Sequence, residues 1–308
     1  MNLSSAKPLE LSDKDIFDTY FKIYPPEISE FSFTNLFIWR NYYGLQLLED
    51  DEHLLLFSED FLSKWKEPIN GDASTLFFFP PIGKNPEKKI LEIFQELDRV
   101  EFHRVPNKFI ENLRKKDAFQ KPNLTFQEDR DNWDYVYNKR ELLQLSGTKY
   151  RSKRRLFEKF KDEYNYEFHL VTEDLINKCQ ELQNKWCKIN QCQKNKDLAE
   201  EQKAISELFD HFSALDVRGG IILVEDKTAA YTFGEQLNPK TSVIHLEKAH
   251  TFLEGSYQAI NNMFLKHCCP ENIEYINREQ DLGVEGLRKA KQSYHPEYMV
   301  EKSIIFQN

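Results

Sequence analysis

Gly220-Ile-Ile-Leu-Val-Glu-Asp-Lys-Thr-Ala-Ala-Tyr-Thr-Phe-Gly-Glu-Gln-Leu-Asn-Pro-Lys-Thr-Ser-Val-Ile-His-Leu-Glu247 decides the fold. Its apolar and β-branched residues gather in three short runs, Gly220–Val224, Ala229–Gln236 and Ser242–Glu247, the first two joined by the turn Glu225-Asp226-Lys227. That pattern predicts three successive strands. Downstream, Ile260, Met263, Phe264 and His267 share one helical face, followed by a strand at Ile273–Ile276, a short helix from about Val284 to Lys291 and one last strand at Tyr298–Phe306. Upstream lie a strand at Tyr166–Val171 and two helices, one carrying Leu175, Cys179, Leu182 and Trp186, the other Ile205, Leu208 and Phe209.

The first half repeats this order. Helices are predicted around Ile16–Tyr24 and Ser32–Tyr42, and strands at Leu45–Glu49, Leu54–Ser58 and Thr75–Phe79. A helix opened by Pro86, a strand at Val100–Val105, a helix from Asn107 to Phe119, and strands at Leu124–Gln127 and Trp133–Tyr137 complete it. The repeat lies in element order and not in residues. It predicts a mixed α+β chain of two tandem domains, 1–138 and 139–308, each a mostly antiparallel twisted sheet flanked by helices.

Composition excludes several classes. The chain has 308 residues, 42 Lys plus Arg against 51 Asp plus Glu, and a net charge of −9, so it is no uniformly basic nucleic-acid binder. The length suits two cores. No apolar run reaches the ~18 residues of a membrane span and the first residues lack signal-peptide features, so a cytoplasmic location is expected. Cys179, Cys187, Cys192, Cys268 and Cys269 form neither a disulfide framework nor paired zinc spacing, and read as reduced, mostly buried thiols. His245, His250 and His267 lack metal-ligand spacing and read as core or surface histidines, so no metal is expected. The 10 glycines form neither a G-x-G-x-x-G nor a P-loop run, which excludes the usual dinucleotide and nucleoside-triphosphate cradles.

The order of elements in each half resembles the GNAT acyltransferase fold, and two copies in one chain resemble the Fem-type aminoacyl transferases. Two stretches sharpen this. Leu145-Ser-Gly-Thr-Lys-Tyr-Arg-Ser-Lys-Arg-Arg155, running on to Tyr166, resembles the basic entry segment of the phosphatidylglycerol lysyltransferase C-terminal domain family. Ile276-Asn-Arg-Glu-Gln-Asp-Leu-Gly-Val-Glu-Gly-Leu-Arg288, continuing through Lys291 and Tyr294 to Pro296, is similar to that family's closing motif. The resemblance implies transfer of an activated acyl or aminoacyl group, with the site in the C-terminal copy.

Lys149, Arg151, Lys153, Arg154, Arg155, Lys159 and Lys161 face a single acid, Glu158, within their window. A patch this local acts inside the ~8–10 Å screening length, so it can hold phosphates of a tRNA acceptor end or of coenzyme A. The alternative is a solvated basic helix. Gly255 and Ser256 could offer backbone N–H groups at a helix start, an anion site by geometry and dipole. Tyr257 stands where the resemblance would put the second small residue of a coenzyme A loop, which favours an aminoacyl-tRNA donor.

Glu279 and Asp281 follow the strand Ile273–Ile276, where either could accept a proton from an incoming amine, while Asn277 or Arg278 could orient a carbonyl. Equally, these residues could form a salt-bridged turn capping the next helix. By resemblance, Lys291 sits near the tRNA 3′ end, where its cation could offset developing negative charge, and Tyr294 is the motif's aromatic, placed to orient substrate. The expected activity moves an aminoacyl group from aminoacyl-tRNA to a small-molecule or peptide amine, or to a hydroxyl, by direct attack and with no permanently bound cofactor. The alternatives are an acyl-CoA-dependent N-acyltransferase and a catalytically silent protein that binds RNA ends or peptide amines.

Overall fold

The computed structural model describes residues 1–69, 71–114 and 124–307. Two compact units emerge: Met1–Asp134 with Gln280–Val284 and the chain from Met299 on, and Tyr135–Glu279 with Glu285–Tyr298. In chain order the first half supplies β1 (Lys7–Pro8), α1 (Lys14–Ile23), α2 (Phe33–Tyr43), β2 (Gln46–Asp50), β3 (His53–Ser58), α3 (Phe61–Trp65) and β4 (Leu76–Phe78). β5 (Ile82–Gly83), α4 (Pro86–Glu96), β6 (Val100–Pro106), α5 (Asn107–Arg114), β7 (Leu124–Glu128) and β8 (Asp134–Asn138) follow. The expected extension of α5 to Phe119 lies outside the described residues.

The second half runs α6 (Lys139–Gln144), α7 (Arg151–Glu163), β9 (Tyr166–Leu170), α8 (Glu173–Asn190), α9 (Lys196–Asp210), β10 (Arg218–Val224), β11 (Lys227–Asn238) and β12 (Thr241–Ala249). Then come α10 (Ser256–His267), β13 (Tyr275–Asn277), α11 (Glu285–Gln292), β14 (Tyr298–Val300) and β15 (Lys302–Gln307).

The strand order is β1-β2-β3-β4-β6-β15-β7 in one sheet, with β5 on β3, and β9-β10-β11-β12-β13-β8-β14 in the other, read from the β9 edge. Position for position the two sheets correspond. Each has a parallel joint, β4 with β6 and β12 with β13, and each of these joints is bridged by a helix, α4 or α10.

The same correspondence corrects the boundary expected at 138/139. β8 pairs with β13 in the second sheet, whereas β15 pairs with β6 in the first. The run Tyr298–Phe306, expected as one strand, is two, broken at Glu301 and divided between the sheets. Alternating apolar residues identify a strand without naming its neighbour, because every central strand offers the same ladder of donors and acceptors.

In the second unit, Phe160 of α7 packs with Ala259 and Ile260 of α10 and with Ile222, Ala229, Ala230 and Ala249 of the sheet. Gly255 makes that approach possible. It sits at φ +88°, and a Cβ there would lie 2.1 Å from the carbonyl oxygen of Leu156. Cys187 and Cys192 are joined by a disulfide, which corrects the expectation of free thiols at these two positions. Gln191, left-handed at the end of α8, turns the chain so that the two Cα atoms lie 5.0 Å apart. Cys179 and Cys268 are free and buried, and Cys269 is free and partly buried. Among the described residues no helix is long and apolar enough to cross a membrane.

Candidate functional site

β12 and β13 stay paired only from Thr241–Tyr275 through Ser242–Ile276 to Val243–Asn277. β13 then ends while β12 runs on to Ala249, held on its other side by β11. The carboxyl ends of two parallel strands therefore part, at the kind of topological position where open α/β sheets place ligands. A register shift opposite Phe233 and Gly234 leaves His245 as the extra residue of a β-bulge in β12 at the point of parting.

Side chains from four elements converge beyond the last paired residues. Arg278 reaches across to Glu247 of β12 at 2.9 Å, and Glu247 also accepts a hydrogen bond from Asn261 of α10 at 3.1 Å. The Arg278 guanidinium lies 4.9 Å from the centre of the Tyr294 ring, and the Lys153 ammonium of α7 lies 4.3 Å from the same centre. Gln258 of α10 donates to the Tyr294 hydroxyl at 3.1 Å. Burial works against the Arg278 charge, but Glu247 together with the Tyr137 and Tyr294 hydroxyls outweighs it and raises the guanidinium above its ordinary range. Lys153 has no such help. Burial, then repulsion from Arg278, lowers its ammonium, and among the described residues no carboxylate pairs with it.

Lys291 joins this cluster from α11. Its Nζ donates to the backbone carbonyl of Arg278 and, at 3.5 Å, to that of Glu279, while its own carbonyl accepts the Tyr137 hydroxyl at 2.8 Å. Asn277 is fully buried and shapes the turn, its Oδ1 accepting the Glu279 N–H at 2.8 Å. Glu279 takes φ +58° there. Its carboxylate meets His245 Nδ1 at 2.8 Å, and His245 Nε2 meets Glu235 at 2.8 Å. Burial lowers the basicity of this imidazole, but the two carboxylates outweigh it and raise its pKa to about 9. The Glu279 carboxylate is thus occupied by the imidazole. Among the described residues no group of three or more His, Cys, Asp or Glu is arranged to hold a metal ion.

Other expected residues fall elsewhere. Asp281 is fully buried and bound to Arg130 at 3.2 Å and to the Gly283 N–H at 2.9 Å, inside the first unit. It holds a turn, so the alternative of a salt-bridged turn describes it and a proton-accepting role does not. Arg154 donates to the carbonyls of Leu145 and Gly147, closing the end of α6. Lys149 pairs with Glu141 at 2.6 Å, Lys159 with Glu254, and Arg151 and Arg155 are exposed. The basic helix thus contributes one cation, Lys153, to the cluster. Ser256 spends its N–H on the Leu253 carbonyl and its hydroxyl on that of His250, and Tyr257 packs against the core beside Gly255. The start of α10 is therefore built for close packing. Glu235, Glu247, Gln258 and Asn261 escaped the sequence reading, and His245, read there as a core or surface histidine, was given no part in the site. Glu247 alone carried a signal, as the acid ending a predicted strand that starts at Ser242.

The family model described as phosphatidylglycerol lysyltransferase, C-terminal, matches residues 21–306. Among curated proteins none matches the sequence. Among solved structures, a conserved protein of unknown function from Bacteroides thetaiotaomicron is 31% identical, with 99% of each chain covered and a TM-score of 0.86. The C-terminal domain of a putative lysylphosphatidylglycerol synthetase from Agrobacterium fabrum shares the fold at 11% identity and TM-score 0.64, covering 97% of this chain and 92% of that one. FemX does so at 10% identity and TM-score 0.58, covering 99% and 97%.

Proposed function

We propose, from the premise that this chain belongs to the phosphatidylglycerol lysyltransferase C-terminal family, that it moves an aminoacyl group from aminoacyl-tRNA to an amine or hydroxyl acceptor by direct attack. Family membership supports a transferase. The observation that carries the finer reading is Lys153, a half-buried ammonium with no carboxylate partner among the described residues, beside Arg278 and over Tyr294 where β12 parts from β13. A partly desolvated, unpaired cation is costly until an anion arrives, and the phosphates of a tRNA 3′ end supply one.

In this reading the acceptor's lone pair attacks the ester carbonyl carbon. The C–N or C–O bond forms, the ester bond to the ribose oxygen breaks, and the proton lost by the acceptor ends on that departing oxygen. Lys291, fixed by the Arg278 and Glu279 carbonyls, offsets the charge of the tetrahedral oxyanion. Glu279, whose carboxylate faces His245 Nδ1, can accept a hydrogen bond from the attacking group.

The test is incubation with aminoacyl-tRNA labelled in the amino acid and, separately, with labelled acetyl-CoA, each with a panel of amines. Label should leave the tRNA only, and Lys291→Ala should slow its transfer by about 100-fold with the melting temperature unchanged. Transfer from coenzyme A, or from neither donor, overturns the reading.

A further inference from the structure

We propose that His245 is the positioning residue of this site: held between Glu235 and Glu279, it fixes the turn on which the Lys291 ammonium rests. The inference rests on the aminoacyl-transfer reading for its consequence, though not for its geometry. His245 is the extra residue of the bulge in β12, so the strand turns its side chain out of the regular alternation at the level where β13 ends. The imidazole is 2% exposed, Glu235 8% and Glu279 21%. Both ring nitrogens sit 2.8 Å from carboxylate oxygens. Only an imidazolium can donate at both ends, since the neutral ring has one N–H.

The clamp holds a turn that is unfavourable alone. Glu279 is a non-glycine residue at φ +58°, a conformation of the kind that persists only where its surroundings impose it. The contacts that impose it here include the Tyr135 N–H on the Glu279 carbonyl at 3.1 Å and the Arg278 N–H on the Tyr135 carbonyl at 2.9 Å, the Asn277 side chain on the Glu279 N–H, and His245 on the Glu279 carboxylate, the one of these that a change of protonation can remove. The turn's product is a pair of carbonyls, those of Arg278 and Glu279, and both accept from Lys291 Nζ. The charged groups facing the imidazole include Glu235 from β11 and Glu279 from the turn, with Lys291 of α11 beyond that turn. With a neutral ring one carboxylate loses its donor. If Glu279 is the one released, the carbonyls lose their common orientation and the Lys291 cation its place.

The test uses the full chain and two readouts. The first needs no ligand: the 15N signal of the Lys291 side chain, assigned by its loss in Lys291→Arg. In the native protein it should persist at neutral pH as a slowly exchanging, hydrogen-bonded ammonium. In His245→Gln, whose neutral amide puts an acceptor oxygen in place of one of the two ring donors, it should broaden away, while far-UV circular dichroism shows the fold intact. Glu235→Gln, which leaves Glu279 and its imidazole partner in place, serves as the milder variant if His245→Gln does not fold, and should bring the ring's titration down from about 9 and the Lys291 signal's disappearance with it. The second readout is the affinity for a non-hydrolysable amide-linked 3′-aminoacyl-adenosine as a function of pH. Native affinity should fall as pH rises through about 9, and His245→Gln should bind about tenfold more weakly with no such fall. An unchanged Lys291 signal in the variants overturns the positioning role. Failure of the native protein to bind the adenosine counts against the aminoacyl-tRNA reading alone, because the first readout stands without it.

Discussion

The two sheets share one strand order and one kind of parallel joint, yet treat the ends of those joints differently. In the first unit the β4–β6 ladder ends at Phe78–Phe102, and the residues that follow on β6 are closed by partners. His103 is fully buried with Nε2 on Glu101 at 2.9 Å, and Arg104 meets Asp129 at 2.7 Å and Glu30 at 3.2 Å. Behind them Lys302, fully buried, sits 2.6 Å from both Glu30 and Asp134. In the second unit the corresponding gap is spanned by Arg278–Glu247 and by His245–Glu279, with a further cation, Lys153, beside them that no carboxylate pairs with among the described residues. Topology alone therefore does not make a site. What separates the two joints is whether buried charge is balanced within the protein or left for a ligand.

The comparison breaks most readily at Lys302. Lys302→Met removes the cation that Glu30 and Asp134 share and leaves Arg104 on Glu30, in a place where burial already raises the Glu30 pKa. Loss of about 3–5 kcal/mol is expected by urea denaturation. A loss below about 1 kcal/mol would mean that the first joint is not closed by charge balance. Gly255→Ala probes the second unit's frame, since its Cβ would strike the Leu156 backbone from a left-handed position. A cost of about 2 kcal/mol or more is expected, read as a lower denaturation midpoint.

A sharper contrast lies in the two histidines. Burial lowers the His103 pKa to about 4 despite Glu101, whereas His245 is raised to about 9. The signs are opposite. Between pH 6.5 and 4 the unfolded chain takes a proton that folded His103 refuses, so stability falls as pH drops through that window. His245 is the reverse case: its contribution is complete below pH 6.5 and disappears as pH rises through about 9, amounting to about 2 kcal/mol at pH 7. His103→Gln should flatten the acid limb of the native stability profile and His245→Gln the alkaline limb. A variant that flattens the wrong limb, or neither, refutes the assignment for that histidine.

These two residues also show where sequence reading stops. The strands carrying them were legible from alternation, and the doubled element order with its α+β class from spacing. Nothing local separates His103 from His245: each is a histidine within a strand. Their opposite charge states come from partners set by strand pairing, such as Glu279, which lies 34 residues from His245. The exchange of β8 and β15 was hidden for the same reason, because an interior strand does not name its neighbour. Asp281 misled by position, following a strand as a pocket acid would, while its partner Arg130 lies 151 residues away. Lys291, Arg278 and Tyr294 were legible because they sit close together in one motif whose turn brings them to a single strand end.

The smallest effect on stability should come from the residue with the largest expected effect on binding. Lys153→Ala removes an ammonium that has no ion pair among the described residues and keeps some exposure, so its stability cost should stay below about 1 kcal/mol. Its binding cost should not be small. If Lys153 meets a donor phosphate, the slope of log affinity against log salt for a single-stranded tRNA 3′-end mimic should drop by about 0.7. Arg151→Ala and Arg155→Ala, on the exposed side of the same helix, should leave that slope nearly unchanged if phosphate recognition depends on the one cation directed to the gap. Equal drops for all three would mean that the whole basic helix attracts the polyanion diffusely. The imbalance of charge that distinguishes the second joint from the first would then be a packing feature without a ligand to resolve it.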